Sequence, residues 1–259
     1  MNIFKQLIRS IYSPKDIASF RRQGIGKTIG YVFFLTLLSV IPSIYFLSSS
    51  ILNGVNSLET SIEKDFPNFV IENGKLQSDE EVPITINNEE VTIIFDSNGI
   101  VKKEEILNSE NTIAFLEDEF IFVSGGQQQG YSYSMLGDVS LDKETTMNLL
   151  SEANSWLLVI ISIMAILIYL FTVSIRFIEI SVLALLGLLI VRILQRGLEY
   201  RFIWRMAAYS VTLSTVFFTI MGALQTTVPN GALISWLIGI IMLMLSIKEI
   251  PHKKDEQIS

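Results

Sequence analysis

Two ionisable residues, Arg176 and Glu179, interrupt a long apolar run and stand three positions apart. On a helix that spacing brings a guanidinium and a carboxylate together as a pair. At membrane depth such groups mark ion or substrate pathways, whereas near segment ends they snorkel to lipid headgroups. Arg176, Glu179 and Arg192 all fall near the ends of apolar segments, so snorkelling is the reading adopted for them. A second group, Arg192, Arg196, Arg201 and Arg205, crowds one short stretch. Short loops this basic are rarely translocated, which predicts a cytoplasmic basic cluster.

Other chemistry finds few carriers. There is no cysteine, which excludes disulfides and thiolate catalysis, and the single histidine, His252, lies in the charged tail. No Ser/His/Asp constellation is expected, and neither a catalytic nor a cofactor site is predicted. The acidic pairs Glu80-Glu81, Glu89-Glu90 and Glu104-Glu105 and the triplet Glu117-Asp118-Glu119 match no calcium-loop spacing. They read as a solvated acidic surface, with no metal site. Gly26-Lys27-Thr28 resembles the end of a phosphate loop, but Arg21 stands where that motif needs glycine. Gly26 and Gly30 are instead expected to permit close helix packing. No carboxylate falls mid-span, so a proton or sodium relay has no evident carrier.

The elements that must position these residues are apolar. Half of the 259 residues are hydrophobic and only 17% are charged, and the mean hydropathy is +0.47. IGYVFFLTLLSVIPSIYFLSS, WLLVIISIMAILIYLFTV, FIEISVLALLGLLIV, MAAYSVTLSTVFFTIMGAL and ALISWLIGIIMLMLSI each approach the length of a bilayer-crossing helix. The fold class is therefore a polytopic α-helical membrane protein with four to five transmembrane helices. A small extracytoplasmic α+β domain is inserted between the first and second of them. Five segments divide the chain: a basic amphipathic N-terminus (1–27), a first span (28–51), the acidic domain (52–154), a helical membrane domain (155–247) and a charged tail (248–259).

Charge sets the orientation. Residues 52–154 hold 20 acidic and 5 basic groups, a balance of −15, while the remainder carries 14 basic against 6 acidic, +8. The positive-inside rule places the N-terminus in the cytoplasm and residues 52–154 outside the cell membrane. Five full crossings would put Arg192–Arg205 and the tail outside. A re-entrant Phe177–Ile193, bending at Arg176 and Glu179, keeps both inside, with only the Thr226–Gly231 turn outside.

At the N-terminus, Ile3, Phe4, Leu7, Ile8, Ile11 and Tyr12 recur at helical spacing opposite Lys5, Gln6 and Arg9. A short helix in the headgroup region fits that pattern. The first span runs from about Ile29 to Ser50 and bends at Pro42. In the acidic domain a helix over Ser57–Phe66 precedes strand signals at 69–71, 83–86, 91–95, 112–116, 120–123 and 131–135. These predict an antiparallel sheet, with Ser124–Gly130 as a flexible polar loop. Thr145–Asn154 is expected to be helical and to lead into the second span.

Three stretches carry a resemblance: SPKDIASFRRQGIGKTIGYVFFLTLLSVIP, the turn-rich PNFVIENGKL and IIFDSNG, and LEYRFIWRMAAYSVTLSTVF. Together they resemble the DUF1189 family of Gram-positive bacterial membrane proteins. Some members are labelled maltodextrin utilisation proteins, and the family is distantly similar to Yip1-type membrane domains. The resemblance implies no catalytic or binding residue. The expected function is a non-enzymatic accessory, sensory or scaffolding subunit whose outside domain binds a partner or ligand. The alternative is a permease or flippase-like component linked to sugar uptake. Expected partners are the lipid bilayer and another membrane protein or a second copy, without nucleic acid.

Overall fold

The computed structural model describes residues 1–79, 83–87, 91–103, 106, 111–124 and 127–251. The pairs at 80–81, 89–90 and 104–105 and the tail from His252 onward lie outside the described residues. Seven α-helices and eight strands are described: α1 (Ile3–Tyr12), α2 (Pro14–Phe20), α3 (Ile25–Lys64), eight short strands, α4 (Lys143–Ile193), α5 (Tyr200–Ser210), α6 (Thr212–Ala223) and α7 (Gly231–Lys248). They form two compact units, a helical one of residues 1–46 and 163–259 and a sheet-containing one of residues 47–162, with α3 and α4 contributing to both.

Two expectations about helix boundaries are corrected. The first span and the Ser57–Phe66 helix are one element of 40 residues, and Pro42 lies inside it without ending it. The composition changes from apolar to polar after Ser50, but no Gly or Pro after Gly54 breaks the helix before Pro67. Likewise Phe177–Ile193 is no re-entrant segment. It continues α4, a single helix of 51 residues that passes through Arg176 and Glu179 without a turn. No glycine or proline occurs between Trp156 and Leu186, so nothing in that stretch favours a reversal.

In the sheet unit, β1 (Phe69–Glu72) and β2 (Lys75–Ser78) form a hairpin about Asn73-Gly74, and β8 (Leu141–Asp142) pairs on the other side of β1. Asn73 (φ 53°) and Gly74 (φ 77°) both take the left-handed conformation that a tight two-residue hairpin needs. The second sheet has the order β3-β4-β5-β6-β7, with β3 at Ile84–Asn87, β4 at Thr92–Phe95, β5 at Asn111–Phe115, β6 at Glu119–Ser124 and β7 at Gln127–Ser132. It is mixed, not antiparallel throughout, because β4 and β5 run parallel. Asp96 turns the chain out of β4: its buried carboxylate accepts from the Asn98 amide (3.0 Å) and the Val101 amide (2.6 Å). Gln127–Gly130 belongs to β7 and pairs with β6, which corrects the expected loop.

Alternation along the strands gives this sheet two buried faces. One contributes Ile93, Phe95, Ile113 and Phe115 to a core shared with Ile62, Phe66, Phe69, Ile71 and Leu76. The other buries Ala114, Ile121 and Val123 with Ile106 and Leu116. At the centre of the first core, the Phe66 ring lies 4.8 Å from that of Phe95, 5.5 Å from Phe115 and 6.3 Å from Phe69. Asp142 caps α4 by accepting from the Thr145 amide at 2.7 Å, and Lys143 Nζ donates to the Phe66 carbonyl at 2.6 Å.

In the helical unit, Ser13 caps α2 by accepting from the Asp16 amide, with Pro14 in the first turn. Arg9 Nη1 reaches Asp16 Oδ2 at 2.9 Å and so ties α1 to α2. Hydrogen bonds from Arg9 and Ser13 hold the Asp16 carboxyl below its ordinary 3.8. A depressed carboxylate contributes stability above its unfolded value and loses it as pH falls through the folded one. Amides of α1 and α2 are therefore expected to exchange faster with deuterium as pH drops below 3.8, after correction for intrinsic exchange rates. Asp16→Asn should remove that pH dependence, and an unchanged profile in the variant would refute the assignment.

The core of this unit gathers Ile17 and Phe20 of α2, Tyr31 and Leu35 of α3, Ile180, Leu183 and Ala184 of α4, Ile203 and Met206 to Tyr209 of α5, and Leu243 and Ile247 of α7. Among the glycines of the described helices, the tightest surroundings are not at Gly26 or Gly30, where a Cβ would meet nothing within 4 Å. They are at Gly187, where a Cβ would lie 2.5 Å from Ile203 Cγ2 and 3.0 Å from Leu243 Cδ2. Small residues set interhelical distance only where a neighbour actually crosses them.

Candidate functional site

Helix α4 presents Arg176 and Glu179 on the face turned into the helical unit. Their side chains are 15% and 16% exposed, and Arg176 Nη1 donates to Glu179 Oε2 at 2.6 Å. The expected pair is thus formed, and it is largely withdrawn from solvent. The Arg176 Nε–H is buried without a hydrogen-bond partner among the described residues. A buried donor left unpaired is costly, so its position is informative.

Arg176 lines a cavity of about 480 Å³ together with Ser39 of α3, Thr215 and Thr219 of α6, the Thr226–Gly231 turn and Ser235 of α7. Four of the five hydroxyl hydrogens there, all but that of Ser235, are directed elsewhere. Ser39 Oγ donates to the Thr36 carbonyl (2.8 Å), Thr215 Oγ1 to Val211 (2.8 Å), Thr219 Oγ1 to Thr215 (2.7 Å) and Thr226 Oγ1 to Leu224 (3.2 Å). Each hydroxyl oxygen keeps its lone pairs. The polar part of the cavity is therefore one guanidinium, the Ser235 hydroxyl and several acceptors.

The four arginines of the predicted basic cluster do not act as one patch. Arg192 is exposed at the end of α4. Arg196 Nη2 donates to the Lys248 carbonyl at 3.2 Å, satisfying an acceptor at the end of α7. Arg201 pairs with Glu199 at 2.8 Å, and its guanidinium lies 4.8 Å from the Phe202 ring centre. Arg205 Nη1 donates to the Arg21 carbonyl at 3.0 Å, just past the end of α2. Two of the four thus hold helix ends in place.

Sequence reasoning missed a buried polar network. Gln6 Nε2 donates to Gln23 Oε1 (3.2 Å), and the Tyr209 hydroxyl donates to Gln6 Oε1 (3.1 Å). Tyr31 and Thr212 share a hydrogen bond of 2.6 Å beside it. The apolar residues of α1 are divided, with Ile3 and Leu7 packed on the core. Gln6 and Ser10 face the core, while Phe4, Ile8 and Tyr12 are exposed at 58%, 56% and 63%. The only available signal was that Gln6 is uncharged beside Lys5 and Arg9, which makes it the cheapest of the three to bury.

In the sheet unit the acidic triplet is engaged by lysines: Glu117 with Lys75 at 2.8 Å and Glu119 with Lys103 at 2.6 Å. Among the described residues, no group of three or more acidic or histidine side chains is placed to hold a metal ion.

Four helices, Ile25–Lys64, Lys143–Ile193, Tyr200–Ala223 (α5 and α6 taken together) and Gly231–Lys248, are long and apolar enough to cross a bilayer. The class is thus an α-helical chain with four potential spans and a separate small sheet unit, with an ion pair packed among the helices. The chain belongs to the DUF1189 family, described as a protein of unknown function, whose model matches residues 4–247. Neither a curated protein nor a solved structure matches it.

Proposed function

We propose that the chain is a non-enzymatic, multi-pass protein of the cell membrane, an accessory, sensory or scaffolding subunit. Its sheet unit stands outside the cell and binds a partner or ligand there. The observation that carries this reading is that the sheet unit has hydrophobic cores of its own and lies, in sequence, between two helices of spanning length. Its stretch of chain also holds nearly all the acidic excess. With α4 one continuous helix, α3 leads out and α4 leads back. Arg192–Arg205 and the end of α7 then both lie in the cytoplasm, as the charge rule requires. The partner is another membrane protein or a second copy of this chain, and no nucleic acid is involved.

A second reading, a permease or flippase-like component serving sugar uptake, draws on the cavity beside Arg176, since polar groups among spanning helices mark transport paths.

Cysteine mapping tests the orientation directly, because the native chain has none to remove. A membrane-impermeant maleimide on intact cells should label Met135→Cys. Gly197→Cys and Glu249→Cys should label only after permeabilisation. The reverse pattern would overturn the orientation and the extracellular role with it. Crosslinking from Met135→Cys, followed by identification of what co-purifies, then separates a binding subunit from a transporter that works alone.

A further inference from the structure

We infer that β7 is a docking edge for a second copy of this chain. The two β7 strands pair antiparallel about a two-fold axis at Gln129, joining two five-stranded sheets into one. This deepens the reading above by naming the partner, and rests on it only in taking the sheet unit as the part that docks. The two sheets leave four edge strands among the described residues, β2, β8, β3 and β7. Three are short, occupied or guarded. β8 has two residues, and the Leu76 amide of β2 already donates to the Glu117 carbonyl at 2.7 Å. β3 follows Pro83 and is bracketed in sequence by Glu80-Glu81 and Glu89-Glu90, and proline and charge both discourage edge pairing. β7 has neither, and Gln127 to Tyr131 are all exposed.

Charge selects the occupant. Phe120 to Gly137 is an uncharged run of 18 residues, and no other such run within 52–154 exceeds seven. Two copies of a stretch with a balance of −15 repel wherever their carboxylates meet, so a surface on which like docks to like must lack them. A basic partner would instead be drawn to the acidic surface. The side chains of β7 also suit self-pairing. A glutamine amide holds donors and an acceptor together, so it can bond to its own copy across an axis, where a charged side chain repels itself.

Backbone geometry sets the register. The Leu116 amide donates to the Glu119 carbonyl at 2.9 Å and the Tyr133 amide to the Asp118 carbonyl at 3.0 Å. Successive residues of a strand bond to opposite sides, so Glu119, Ile121 and Val123 bond toward β5, and Phe120 and Phe122 toward β7. On β7, Tyr131 and Gln129 therefore face β6, while Gln128 and Gly130 turn their N–H and C=O groups outward. Ser132 leads into the 3-10 turn Tyr133–Leu136. With the axis at Gln129, Gln128 of each copy meets Gly130 of the other, which makes four backbone hydrogen bonds. Glycine at that position leaves room for the Gln128 side chain opposite it.

The test uses the full chain, which has no cysteine of its own. The two Gln129 Cα atoms should lie about 4.5 Å apart, within reach of a disulfide, so Gln129→Cys should crosslink to itself in oxidised membranes. Gln127→Cys and Tyr131→Cys should each fail alone, yet crosslink about tenfold more when coexpressed with different tags, because those positions face each other. Gln128→Pro removes an outward N–H and spares the β6 ladder. It deletes two of the four backbone hydrogen bonds, so energy transfer between copies labelled at Met135→Cys in liposomes should need about thirtyfold more protein per lipid. No crosslink at Gln129→Cys, equal crosslinking of Gln127→Cys alone and coexpressed, or association indifferent to Gln128→Pro would each overturn the pairing. If those results came while Met135→Cys captured a different protein, the pairing would fall and the accessory reading stand. If the crosslinks formed but Met135→Cys labelled only after permeabilisation, the pairing would stand and the outside placement fall.

Discussion

Replacing Phe66 with alanine should cost the sheet unit about 3–5 kcal/mol, the usual range for removing a well-packed buried aromatic ring. Phe66 is only 3% exposed, and it follows α3 at the point where the chain turns into the sheets. Its ring touches Phe69 of β1, Phe95 of β4 and Phe115 of β5, so it joins both sheets to the end of α3. Little nearby can collapse into the space, because the neighbouring rings are fixed by their own strands. Small domains have about 5–15 kcal/mol of stability in all, so this one change removes a large fraction. Hydrogen exchange of the β1, β4 and β5 amides in the full-length protein would measure it, with Phe66→Leu as a milder comparison. A loss below about 1 kcal/mol would show that Phe66 is not the centre of that core.

The second large effect is expected at Gly187. A methyl group there would sit 2.5 Å from Ile203 Cγ2, and Ile203 is fully buried, so its side chain must leave its rotamer or the helices must part. Overpacking of this kind costs about 1–3 kcal/mol, and the helix propensity gained by Gly→Ala returns about 1 kcal/mol. Gly187→Leu regains nearly the same propensity but adds three more carbons to the clash, and should lower the melting temperature of the detergent-solubilised protein far more. A double-mutant cycle identifies the cause. Ile203→Ala should cost less in the Gly187→Leu background than alone, since it vacates the space that leucine needs. Additive effects would refute the crossing. Gly26→Ala and Gly30→Ala, which meet nothing, should be neutral or slightly stabilising.

The contrast among these glycines shows what the sequence can carry. Gly26 and Gly30 have the small-xxx-small spacing and no neighbour, whereas Gly187 sits alone in an apolar run and has two. Which helix crosses which is tertiary information, and single-residue spacing does not contain it. Local signals fared better. The turn-rich PNFVIENGKL and IIFDSNG do hold turns, at Asn73-Gly74 and after Asp96, because such residues act through backbone geometry within a few positions. The pairing of Arg176 with Glu179 was legible for the same reason, as an i,i+3 contact on one helix. Their cavity was not, since its other walls come from α3, α6 and α7.

Where reasoning failed, a local preference was overridden. Gln127–Gly130 reads as a loop by composition, yet β6 supplies a ladder for it, and side chains on an edge strand need not be apolar. The continuity of α3 and α4 was hidden because a change from apolar to polar residues changes the environment of a helix without ending it. The parallel pairing of β4 and β5 depends on the return path through 96–110, which no alternation pattern reports.

The packing of α1 through Gln6 has a mechanical meaning. A helix held only by grease can roll about its axis, but Gln6 is bonded to Tyr209 and Gln23, so the azimuth of α1 is fixed. Phe4, Ile8 and Tyr12 consequently point in one set direction, flanked by Lys5 and Arg9, like teeth on a key already turned. Whatever presses on those three rings and chains, a leaflet under lateral tension included, applies torque to α1. The hydrogen bond to Tyr209 passes part of that torque into α5, and the Arg9–Asp16 pair passes part into α2.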